Sequence, residues 1–175
     1  MLFNKEIKPG YWFIIKAISL MVLWKVMYYS GFLDSSGINS WLTNRVGGDT
    51  SIFFQLIGYD SQFDQSNLVI DGIRSVFIGH PCNGLELHAL FLGFIIITPG
   101  KLIVKFWYGV LGIALIYGIN ILRVYLLGTN FINNPSTFEF NHKYTYLGLV
   151  YLLVFILWII WVEVVNKKSL AQAIK

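Results

Sequence analysis

Apolar residues in this chain collect in long uninterrupted runs instead of recurring at the spacing of a surface helix. Four runs approach the length that a helix needs to cross a bilayer: residues 11–33, 82–99, 103–127 and 144–165. The second is short when counted from Leu85, reaches the lower end of the spanning range when counted from Cys82, and stops at Pro99-Gly100. The pattern predicts an all-α multi-pass membrane protein with about four transmembrane helices, forming a single integral membrane domain over 1–175.

The intervening segments carry weaker patterns. In the long segment 34–81, Asp49-Thr50-Ser51 offers caps for a short interfacial helix over 52–57. Further on, the β-prone runs 67–70 and 73–78 flank Asp71-Gly72, a strong hairpin signal. That hairpin ends just before Cys82. Residues 128–143 form the second connecting loop on the same side.

Charge changes the picture by orienting it. Apolar residues make up 56% of the chain and charged residues 13%, a balance that excludes an ordinary soluble domain. Lys5, Lys8, Lys101, Lys105, Lys167, Lys168 and Lys175 all fall on one side of a four-pass arrangement, so both termini are expected in the cytoplasm and segments 34–81 and 128–143 outside. The first apolar run is too long for a signal sequence and no small-residue cleavage site follows it, which predicts an uncleaved anchor. The net charge of +4 is too small and too scattered for a nucleic-acid footprint, leaving membrane lipids as the expected surroundings.

Candidate chemistry gathers at the outer boundary. The single cysteine, Cys82, excludes an intrachain disulfide and any Cys-x-x-Cys site. Its setting, His80-Pro81-Cys82-Asn83-Gly84, places it near a helix N-terminus, where free N–H groups favour an anion. The alternative is a buried cysteine acting as a small hydrophobe. Arg123 follows Ile103 by twenty residues, about 30 Å of helix, which carries it across to the same boundary. Asn120 shares its helical face; the alternative for Arg123 is an arginine snorkelling to lipid headgroups. His142 stands just before the fourth run.

Together these residues suit acyl transfer, with Cys82 as nucleophile, His142 as general acid and base, and Arg123 stabilising the oxyanion. His80 and His88 are rival candidates for the base, with His80 expected to orient the loop and His88 to point partly away from the thiol. No cofactor is expected, and His80, Glu86 and His88 do not make an ordered metal site. Lys25, inside the first run, has Glu86 as a candidate partner. Gly109, Gly112, Ala114 and Gly118 give the third run small faces for another helix, within the protein or from a substrate.

At these positions the chain resembles the exosortase and archaeosortase family of multi-pass membrane enzymes. The resemblance rests on the ordered set Cys82-Asn83-Gly84, Asn120 to Arg123 and His142, and covers roughly 58–165. It looks like a short form of the family. The resemblance implies a cysteine peptidase or transpeptidase at the outer face of the plasma membrane. Its substrates would be exported proteins whose C-terminal sorting tail holds a short motif, a transmembrane helix and a basic end, cut through a thioacyl intermediate. The rival class is a non-enzymatic membrane subunit of an export or exopolysaccharide machine, which tolerates loss of the thiol.

Overall fold

The computed structural model describes residues 9–173, with the side chains of 15–163 and 165. The flank 1–8, on which the anchor reading and part of the charge argument rest, lies outside the described residues, as do the side chains of Lys167, Lys168 and Lys175.

The chain folds as a helical bundle carrying a small mixed cap. Helix α1 (Pro9–Tyr29) leads through α2 (Phe32–Ser35) into α3 (Ile38–Leu56), and strands β1 (Ser61–Asp64), β2 (Asn67–Ile70) and β3 (Ile73–Phe77) follow. A 3-10 turn (His80–Cys82) precedes α4 (Leu85–Ile97) and the long α5 (Leu102–Asn133). The chain returns through a second 3-10 turn (Pro135–Thr137), α6 (Phe138–Phe140) and a π turn (Asn141–Thr145) into α7 (Tyr146–Ala173).

Two cores are stacked along α5. Leu87, Phe91, Ile95, Ile116, Val150, Val154, Leu157 and Trp161 fill the space between α4, α5 and α7. Farther along α5, Val124 and Leu127 join Leu42, Val46, Phe54, Leu68, Ile70, Val76 and Ile78 from α3 and the sheet. The 32 residues of α5 span about 48 Å, well beyond an apolar layer of about 30 Å, so one helix serves bundle and cap. Arg123 falls at their junction.

The strands form an antiparallel meander in the order β1-β2-β3. Asp71 (φ 51) and Gly72 (φ 79) make the hairpin turn at the dipeptide that signalled it. The sequence reading missed β1, because its turn is Gln65 (φ 45) and Ser66 (φ 67), residues without the usual preference for that conformation. A bulge between Leu68 and Val69 shifts the β2–β3 register.

Several expected boundaries move. The short interfacial helix over 52–57 is the last part of a 19-residue helix that starts at Ile38. Asp49-Thr50-Ser51 caps nothing: Thr50 is buried and its Oγ1 donates back to the Val46 carbonyl. Gly47 does not break this helix, because a Cβ there would overlap the Phe63 ring that packs on it. Helix α4 covers Leu85–Ile97 and not 82–99, since Asn83 and Gly84 form its entry and extended Thr98 precedes Pro99. Its thirteen residues span about 20 Å, and Lys105 Nζ, donating to Ile96 O at 2.9 Å, caps its C-terminus. Helix α5 runs six residues past the expected end at 127, and most of the expected loop 128–143 is helical.

Among the described residues, two helical runs are long and apolar enough to cross a membrane, Leu102–Asn133 and Pro135–Glu163. In the latter, the first turns carry an ion pair between Lys143 Nζ and Glu139 Oε2 (3.0 Å), ahead of the apolar stretch of α7 that begins at Tyr146. The small faces of α5 are partly used internally: a Cβ at Gly112 would overlap the Phe91 ring, and one at Gly109 would touch Leu92 at 3.4 Å. Gly118 has open space beside it.

Candidate active site

The loop bearing Cys82 is pinned by Asn83, which is fully buried. Its Oδ1 accepts the Leu85 backbone N–H at 2.9 Å, satisfying a free donor of α4. Its Nδ2 faces Asn39 O, Asn39 Oδ1 and Thr43 Oγ1, each at 3.2 Å. Asn39 Nδ2 in turn donates to Asp34 Oδ1 at 2.6 Å, and the same carboxylate oxygen meets His80 Nδ1 at 3.0 Å. Residues on both sides of Cys82 are thus tied to α2 and α3. Gly84 takes φ 84, and an added Cβ would press on Asn120 at 3.1 Å, so this position is restricted twice.

Three groups from distant parts of the chain surround Cys82. His142 Nε2 lies 3.6 Å from Sγ. Arg123 Nη2 approaches Sγ from α5 at 4.0 Å. Asn120, one turn before Arg123, donates from Nδ2 to the Cys82 carbonyl at 3.3 Å. The thiol is half-buried, whereas Arg123 is 3% exposed and makes no ion pair among the described residues. Its Nε is buried without a hydrogen-bond partner, as is Asn120 Oδ1. An unpaired buried guanidinium is costly, so the arrangement favours an anionic group brought beside it.

His142 sits in the π turn, a distortion that often marks functional positions. The Phe138 ring stacks on its imidazole, with centroids 5.8 Å apart. Burial, and then the nearby Arg123 charge, hold the His142 pKa below 6.5 against the opposing pull of Glu139. The imidazole is therefore neutral near pH 7, as a proton acceptor must be.

Cys82, Arg123, His142 and Asn120 meet in space, with Asn83 and Gly84 shaping the loop. His80 is turned towards Asp34. His88 is buried inside α4, with Nδ1 2.7 Å from Gly84 O and Nε2 3.3 Å from Ile113 O, and it links α4 to α5. Lys25 and Glu86 do not pair with each other, and neither forms an ion pair among the described residues. Sequence reasoning missed Asp34, Asn39, Thr43 and Phe138; Asn39 and Thr43, four apart on the helical face that also carries Leu42 and Val46, are the one signal that pointed inward. Among the described residues no three His, Cys, Asp or Glu side chains cluster as a metal site requires.

A cysteine, an imidazole and a guanidinium converging beside an apolar helical bundle define a membrane protein with a built thiol site. The family model for transmembrane exosortases matches residues 8–165, and the chain belongs to that family. No curated protein and no solved structure matches it.

Proposed function

We propose that the chain is a cysteine peptidase or transpeptidase that cleaves the C-terminal sorting tail of exported proteins at the outer face of the plasma membrane. The observation that carries this reading is the position of Cys82 Sγ, 3.6 Å from a neutral imidazole nitrogen and 4.0 Å from a buried, unpaired guanidinium. In acylation His142 Nε2 takes the thiol proton, and the thiolate attacks the scissile carbonyl carbon. The carbonyl oxygen becomes an oxyanion facing Arg123, whose buried donors are worth more there than in water. Collapse breaks the C–N bond; the leaving amine takes the proton from His142, and the acyl group stays on Sγ as a thioester. An amine acceptor or water then gives its proton to His142 and attacks the thioester carbonyl, and Cys82 leaves and is reprotonated.

The roles of Asn120 and Asn83 follow from their bonds: they hold the Cys82 backbone and leave its side chain free to react. The test is a Cys82→Ala variant assayed with a tail-bearing precursor at matched membrane abundance. Processing stops and uncut precursor accumulates on this reading. Normal processing by Cys82→Ala overturns it in favour of a non-enzymatic subunit.

A further inference from the structure

A groove of about 660 Å³ lies between α1 and α4, away from the thiol site, with Trp158 of α7 at its inner wall. Its lining is one face of each helix. On α1 it runs from Ala17 to Tyr29 at three-and-four spacing, and on α4 from Glu86 to Ile97. Gly93 forms part of the floor, its Cα bare towards Leu20. The surface is overwhelmingly apolar except at one end, where Lys25 and Glu86 both line it. Both side chains are exposed, and neither forms an ion pair among the described residues. This is the end nearer Cys82: Asp34, just beyond α1, meets His80, just before α4.

Two opposite charges that line one groove without neutralising each other are costly beside hydrocarbon and call for a ligand carrying both signs. The groove extends over about 18 Å of α1, roughly three-fifths of the hydrocarbon layer, which suits the chains of a single leaflet better than a whole transmembrane helix. Tyr28 and Tyr29, at the same end, lie where aromatic side chains meet headgroups.

We propose that this groove is a specific site for one aminophospholipid of the leaflet on the Cys82 side. Its acyl chain lies along Gly93 and Ala89, Lys25 Nζ donates to the headgroup phosphate, and the headgroup ammonium donates to the Glu86 carboxylate. A phosphatidylcholine head fits less well because its quaternary nitrogen has no N–H. A phosphatidylglycerol head has no cation for Glu86.

The experiment reconstitutes the full chain in vesicles holding equal amounts of phosphatidylethanolamine, phosphatidylcholine and phosphatidylglycerol with identical acyl chains, then extracts it gently for native mass spectrometry. The wild-type protein retains one phosphatidylethanolamine, several-fold over either competitor. Glu86→Gln loses the preference over phosphatidylglycerol, Lys25→Ala loses retention of the lipid, and Lys25→Arg keeps it. Ala89→Phe, which fills the groove floor, reduces retention of all three. Equal retention of the three lipids by wild type, undiminished preference in Glu86→Gln, or a co-purifying polypeptide in place of lipid overturns the proposal. Glu86→Gln and Lys25→Arg carry the test should Lys25→Ala fail to fold.

Discussion

The guanidinium of Arg123 reaches Cys82 with Nη2 4.0 Å from Sγ, and among the described residues it has no carboxylate partner. A structural arginine would have one, or would lie at a helix end with its head in water. Arg123 instead sits where the bundle core gives way to the cap, 3% exposed.

That placement predicts the outcome of Arg123→Lys. Lysine keeps the charge but loses the planar fork of donors with which Arg123 faces the sulfur. Removing a single oxyanion donor costs about 10²–10³ in kcat. Processing of a tail-bearing precursor by Arg123→Lys is expected to fall by at least about a hundred-fold on that scale, with membrane abundance unchanged. Near-normal turnover would return Arg123 to a purely structural role.

The depressed pKa of His142 sets a pH dependence. A base acts when neutral, so the acid limb of kcat/KM lies below 6.5, and activity is full at pH 7 and lost as pH falls through the lowered value. Glu139 is the one nearby group that pulls this pKa upward. Glu139→Gln therefore moves the acid limb to lower pH, measured as a pH–rate profile beside wild type. A limb that stays in place, or moves up, would remove His142 as the titrating base.

Asn83 and Asn39 share a network but not equal weight. Replacing Asn39 with Ala still leaves Asn83 Nδ2 the Asn39 carbonyl and Thr43 Oγ1 as acceptors. Replacing Asn83 removes all its bonds, among them the one to the part-buried Leu85 N–H, at about 1 kcal/mol for each bond lost. Thermal unfolding in detergent should show Asn83→Ala clearly less stable than Asn39→Ala. The reverse order would mean that the loop is held mainly through Asp34 and His80.

The parts of this fold legible in the sequence are those governed by local rules. Asp71-Gly72 specifies its turn because few other pairs accept two positive φ values, and the apolar runs announce α5 and α7 by length alone. Local rules fail where a tertiary contact decides. Gly47 and Gly48 argue against a helix until Phe63 is seen packed on Gly47, and Gln65-Ser66 gives no sign of a turn until β1 lies beside β2. The sequence places Cys82, Arg123 and His142 separately at one membrane boundary, which concerns height alone. Their approach around one sulfur depends on the rotation of α5 and α7, which the packing of Gly112 on Phe91 and of Tyr108 on the α7 backbone sets. Asn39 and Thr43 lie about forty residues from Asn83, and no short-range pattern joins them.

Orientation is the remaining expectation, and it can be read at the same residue that carries the chemistry. Cys82 is half-buried, with its Sγ beside His142 in a turn that precedes the apolar stretch of α7. If the cap faces outward, as the distribution of lysines predicts, a small membrane-impermeant thiol reagent added to intact cells reaches Cys82 without permeabilisation. Labelling of the folded protein in intact cells is therefore expected before any permeabilising agent is added. Reporter fusions after Gly37 and Asn134 provide an independent reading, and both should register outside. Labelling that requires permeabilised cells, together with inside signals at both fusions, would reverse the topology and move the proposed substrate tail to the other face.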